Sequence, residues 1–181
     1  MPIPNTQSEP TKHRERYNMI EIQITPQMKK RAWTKARKMG KLRNSITQGQ
    51  GNIAGFLGEE IANELIKGEV TNTYNYDILY KGLKYDVKTK RCTSPPKSHY
   101  ECSVAAYNTK QKCDRYVFVR IEWVNGKWGR AWVLGWLNHD EYFKKAKKLN
   151  QGDIDRSNGF MVKADCYNVP ISELRNFRRR K

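Results

Sequence analysis

The chain has 181 residues and a mass of 21.3 kDa, enough for one domain with a full core and short for two. Lysines and arginines number 35 against 18 acids, a formal charge of +17, while 38% hydrophobic and 11% aromatic content argue against wholesale disorder. No run of about 18 apolar residues occurs and the first residues are polar, so neither a membrane span nor a secretory signal is expected, and the location expected is the cytoplasm.

Residues 1–16 hold three prolines and no periodicity, and read as a flexible basic tail. Met19–Ile24 alternates as a short strand does, with Ile20, Ile22 and Ile24 on one face. Thr25-Pro26 is a helix start in the usual order, and the helix runs to Met39 before Gly40. On it Lys29, Lys30, Arg31, Lys35, Arg37 and Lys38 surround an apolar stripe of Met28, Ala32, Trp33, Ala36 and Met39. A polar loop follows at 43–51. Asn52 then caps a helix whose Ile53, Phe56, Leu57, Ile61, Leu65 and Ile66 recur at helical spacing until Gly68. Gly55 and Gly58 inside it each cost roughly 1 kcal/mol against alanine, which suggests close approach to another backbone.

From Tyr74 the pattern turns to strands: Tyr76–Tyr80, Lys84–Lys90, Tyr100–Tyr107, Arg115–Trp123 and Trp128–Leu137. Gly82, a loop at 93–98 and the hairpin signal Asn125-Gly126 separate them. Asn138 is read as the cap of a lysine-rich helix through Lys148. Residues 150–165 read as a polar loop, followed by Cys166–Val169, a helical turn from Ser172 and a basic end at Arg178–Lys181. The expectation is a single α/β domain over 17–181, its central mixed β-sheet of about five strands flanked by helices and its core at about 52–136. The four cysteines, Cys92, Cys102, Cys113 and Cys166, show no C-x-x-C spacing and are expected as free thiols. Trp123, Trp128, Trp132 and Trp136 stand at hairpin spacing, where core or cross-strand packing is favoured over stacking on bases.

The charge is uneven. The first fifty residues carry 11 bases and 3 acids, the next fifty 7 and 6. Basic proteins serve nucleic acids, anionic membranes or acidic partners alike, but acids gathered where bases thin out suit a cation pocket inside a phosphate-attracting shell. Asp86 and Lys88 are two apart in one strand and share a face, while Val87 points the other way. A hairpin through Lys81-Gly82 brings Asp77 beside Asp86. Two facing carboxylates with an ammonium alongside call for a hard divalent cation, Mg²⁺ or its substitute Mn²⁺. Such an ion would polarise a phosphoryl oxygen and activate water, with Lys88 holding that water and Glu59 completing the site directly or through water.

Gly58-Glu59 on a helix, Tyr76-Asp77-Ile78, and Tyr85-Asp86-Val87-Lys88 together resemble the PD-(D/E)XK, or restriction-endonuclease-like, nucleases, in particular the small phage-encoded endonucleases. The resemblance covers about 52–136 and departs from the motif where Tyr76 stands for proline. It implies a restriction-endonuclease-like core, catalytic roles for Glu59, Asp77, Asp86 and Lys88, and metal ligation by Asp77, Asp86, the Val87 carbonyl and Glu59. Gln111 is similar to a polar residue that some members carry beyond the D-x-K strand. The implied activity is Mg²⁺-dependent DNA cleavage in a host-cell cytoplasm, on double-stranded DNA, by a homodimer or higher assembly. Lys29, Lys30, Lys35, Arg37, Lys38, Lys90, Arg91, Lys97, Lys110, Gln111, Lys112, Arg178, Arg179 and Arg180 are the expected DNA contacts. The rival readings are a non-catalytic DNA-binding protein of the same fold, an exonuclease and an RNA-processing nuclease.

Overall fold

A computed structural model describes residues 18–39, 50–71, 73–156 and 159–178. The tail at 1–16, the loop expected at 43–51 up to residue 49, Arg179 and Arg180 lie outside them. The elements in chain order are β1 (Ile20–Ile22), α1 (Pro26–Met39), α2 (Gln50–Ile66), β2 (Glu69–Val70), β3 (Ile78–Tyr80), β4 (Leu83–Cys92), β5 (Glu101–Ala105), β6 (Arg115–Val124), β7 (Lys127–Asn138), α3 (His139–Lys145), β8 (Lys147–Leu149) and β9 (Cys166–Pro170).

The protein is α/β, but its strands divide between two sheets. Six form a mixed sheet in the order β1-β7-β6-β4-β3-β2, with β4 and β6 parallel and the other pairs antiparallel. The expected strand at Tyr100–Tyr107 does not join it. As β5 it pairs with β9, which pairs with β8, in a separate three-stranded antiparallel sheet. Strand propensity marks a segment as extended without naming its neighbour, so a sheet of about five strands is corrected to one of six and one of three.

Alternation along β4 and β6 sorts side chains into two cores. Tyr85, Val87, Val117, Val119 and Ile121 face α1 and α2, meeting Met28, Ala32, Phe56, Leu57 and Ile61. On the opposite face Tyr116, Phe118, Trp132 and Leu134 meet Val104 and Val169 of the second sheet, Tyr142 of α3 and Ile171 of the 3₁₀ turn after β9. The main sheet is thus the middle layer of three.

Local chemistry fixes the turns. Thr25 Oγ1 accepts the Met28 amide at 3.2 Å and caps α1. Lys81 and Gly82 both take positive φ, 49° and 79°, as do Asn125 and Gly126, 50° and 72°, which are the two-residue hairpin turns that suit strand twist. Four expectations are corrected. Helix α2 begins at Gln50, so Asn52 lies within it and is no cap. Helix α3 stops at Lys145, and Lys147–Leu149 is a strand rather than more helix. Trp33 and Met39 do not join the buried stripe of α1 and are exposed, because α2 covers only the face bearing Met28 and Ala32. A side chain at Gly55 would meet nothing, whereas a Cβ at Gly58 would lie 2.8 Å from Thr89 Cβ on β4, so Gly58 alone marks the close approach.

Candidate active site

The site lies where β3 and β4 part. Their ladder ends at Ile78↔Tyr85, leaving the outward amides of β4 without a strand partner on that side. Asp77, one residue before β3 rather than inside a strand, covers the gap: its Oδ2 accepts the Val87 amide at 2.7 Å. Amide and carbonyl of one residue leave an extended strand on the same side, so the Val87 carbonyl points to this open edge as well.

Asp86 and Lys88 share a face as the alternation predicts. Lys88 Nζ is 2.6 Å from Asp86 Oδ2. Gln111, which follows the 3₁₀ turn at Ala106–Asn108, is clamped between them: its Nε2 donates to Asp86 Oδ1 at 3.1 Å and to the Tyr74 carbonyl at 2.8 Å, and its Oε1 accepts from Lys88 at 3.1 Å. It is buried, so its expected role as a DNA contact is corrected to a buried bridge between two site residues. Glu59 arrives on α2 from the helical layer. Its neighbour Glu60 turns to α1, accepting from Arg31 at 2.6 Å, while Glu59 Oε2 pairs with Lys35 at 3.5 Å. Lys35, expected outside among the phosphate contacts, is therefore corrected to an inward ion-pair partner of Glu59 and Glu60.

The electrostatics show crowding of acids. Burial, then the charge of Asp77, pushes Glu59 up to about 8 despite Lys35. Burial, then the charge of Asp86, pushes Asp77 up to about 7 against the Val87 amide, Lys88 and Lys35. Burial raises Asp86 too, with Lys88 and Gln111 opposing. Asp77 is the link of the series, coupled to Glu59 on one side and Asp86 on the other. Among the described residues no three His, Cys, Asp or Glu side chains converge as a ready metal cage. The donors nonetheless fit a hard cation held by two carboxylates and a carbonyl. Asp86 Oδ2 and Glu59 Oε2 are buried, and each faces an ammonium, Lys88 and Lys35, in place of a backbone donor.

The remaining predicted contacts scatter over the surface. Lys29, Lys30, Arg37 and Lys38 project from the outer side of α1, and Arg91, Lys97, Lys110, Lys112 and Arg178 are exposed. Lys90 stands on the Asp86-Lys88 face of β4, beside Arg120 of β6. The tryptophans are structural: Trp123 and Trp128 are a cross-strand pair with centroids 4.2 Å apart, Trp132 is buried, and Trp136 lies between Arg115 and Arg175. All four cysteines are free. Sequence reasoning placed Lys35 at the outer surface and missed Arg120 and the Tyr74 carbonyl as parts of this region, since each arrives through packing rather than spacing.

No protein-family model matches the chain, and no curated protein matches it. No helix among the described residues is long and apolar enough to cross a membrane.

Proposed function

We propose that the protein is a metal-dependent DNA endonuclease of the PD-(D/E)XK kind, with a restriction-endonuclease-like core in its helix-covered mixed sheet. The observation that carries this reading is the pair Asp77 and Asp86 at the parting of β3 and β4. Burial and the charge of Asp86 raise the affinity of Asp77 for a proton, burial raises that of Asp86, and Lys88 lies 2.6 Å from Asp86. A protein that needed only a stable core would gain by replacing such a pair with apolar residues. An enzyme needs the stored repulsion, because a cation relieves it on binding.

In this mechanism Asp77, Asp86 and the Val87 carbonyl would hold Mg²⁺, which would supply charge against the scissile phosphate and acidify water. Lys88 then exchanges its contact with Asp86 for the attacking water or the developing negative charge. Gln111 keeps Asp86 and Lys88 in register through that exchange. Glu59, poised by Lys35, holds a proton near neutral pH and can give or take it through water. Exposed cations on α1 and around the loop at 93–98 would attract the phosphate backbone.

Supercoiled plasmid incubated with Mg²⁺ or Mn²⁺ is expected to become nicked or linear, and Asp86→Asn is expected to bind DNA without cutting it. An intact protein that binds but never cuts with either ion would favour the non-catalytic reading instead.

A further inference from the structure

Beyond Lys88, the sheet face that carries Asp86 continues into a cleft between the two sheets. Lys88, Lys90 and Arg120 line its floor, and Glu101 of β5 stands in the opposite wall. Past Lys90 it opens into a cavity of about 450 Å³ bordered by Tyr100 and Phe160. That is room for one small organic group, not for a double helix.

Arg120 is 7% exposed, yet its hydrogen-bond partner from the protein is the Glu101 carbonyl, at 2.9 Å. Its guanidinium lies 5.4 Å from the Tyr100 ring centroid, which fixes the plane. Guanidinium carries five N–H donors, so a fixed fork remains for an incoming anion. Lys90 is its register partner on the parallel neighbour strand. Burial and the charge of Arg120 lower the proton affinity of Lys90, with Asp155 among the groups opposing, so two cations stand side by side on this floor. Glu101 keeps Oε2 buried without a hydrogen-bond partner, an acceptor suited to an amino hydrogen of a base. Phe160 is 73% exposed at the mouth and offers a flat face. Finally, Lys88 and Lys90 are two strand rises apart, about 6.6 Å, comparable to one phosphate-to-phosphate step in an extended nucleic-acid strand.

We propose that this cleft holds the nucleotide next to the scissile phosphate in unpaired form, its phosphate on Lys90 and Arg120 and its base against Tyr100 and Phe160. The preferred substrate is therefore DNA with a single-stranded segment rather than uninterrupted duplex. The scissile position rests on the nuclease reading above; the cleft's preference for an unpaired strand does not.

The two are separable by measuring binding and cleavage apart. Fluorescence anisotropy in EDTA compares one sequence as a single strand, as a duplex with an overhang and as a blunt duplex. The first two are expected to bind about tenfold tighter than the third, the worth of one stacked base. Lys90→Gln should bring that ratio close to one, whereas Lys127→Gln, at the start of β7 and outside the cleft lining, should leave it intact. Tyr100→Leu, which keeps an apolar wall, should also reduce it. A wild-type ratio near one, or a ratio unmoved by Lys90→Gln, overturns the cleft assignment whatever the cleavage result. With Mg²⁺ and Mn²⁺ added, failure to cut any of the three DNAs removes the nuclease reading while the binding ratios still decide the cleft.

Discussion

Three carboxyl groups with elevated proton affinity make the site's behaviour depend on pH in a definite direction. Asp77 and Glu59 bind protons more tightly in the folded chain than in the unfolded one. Their protonated forms therefore support the fold at low pH, and that support fades as pH rises from about 4 through about 7 to 8. Thermal melts of the metal-free protein should show stability declining over that window, with Mg²⁺ restoring it most at the alkaline end. Asp77→Asn keeps an oxygen for the Val87 amide and removes the repulsion, so at pH 8 it should raise the melting temperature by ~5 °C while abolishing cleavage. A variant that melts lower than the wild type at that pH would show that the pair is not repulsive. Lys35 gives a second test. As an inward-facing partner of Glu59 rather than a phosphate contact, its change to Met should slow cleavage about 10- to 100-fold and leave the salt dependence of DNA binding unchanged. A reduced salt slope would return Lys35 to the surface role first expected of it.

Helix α2 is held against β4 by the absence of a side chain at Gly58. All three heavy atoms beyond the Thr89 Cα lie inside the space a Cβ there would need, so no rotation of that β-branched residue makes room. Gly58→Ala is expected to cost about 1–3 kcal/mol and to slow cleavage, because Glu59 is the next residue. Gly58→Ala combined with Thr89→Ala should recover most of both losses. Gly55, one turn earlier, meets nothing, and Gly55→Ala should stabilise the protein by roughly 1 kcal/mol through helix propensity alone. Chemical denaturation of the wild type, these three variants and Thr89→Ala alone measures the coupling; equal effects at 55 and 58 would contradict the packing.

Over the whole molecule, the net charge is +17, yet the site itself gathers acids. Lys29, Lys30, Arg37 and Lys38 are exposed on the side of α1 turned away from α2. If they meet phosphates, DNA affinity should fall steeply with salt, and neutralising each one should lower the log–log slope by about 1. A flat dependence would remove the phosphate role from α1 and leave its cations as a solvated face. The layer order also explains why Glu59 and Asp86 come from opposite sides of the sheet. They communicate through Asp77, which sits where β3 leaves the edge of β4.

The local half of this arrangement is encoded within short stretches of the chain. A two-residue turn at Lys81-Gly82 leaves one register for the hairpin, and strict alternation then settles which side of β4 bears Asp86 and Lys88. Helix α1 was equally legible from Thr25-Pro26, and so was the Asn125-Gly126 hairpin, since these signals act within a few residues. The tertiary structure decided everything that depends on which surfaces meet. Lys35 reaches Glu59 only because α1 lies on α2, and Gln111 reaches Lys88 only after the chain has crossed from β4 towards β6. The strand at Tyr100–Tyr107 became part of a second sheet because its edge found β9, and Arg120 became buried when that sheet closed over it. Backbone preferences are fixed residue by residue, but the partner of a strand or helix face is chosen by long-range burial, which no short stretch of sequence encodes.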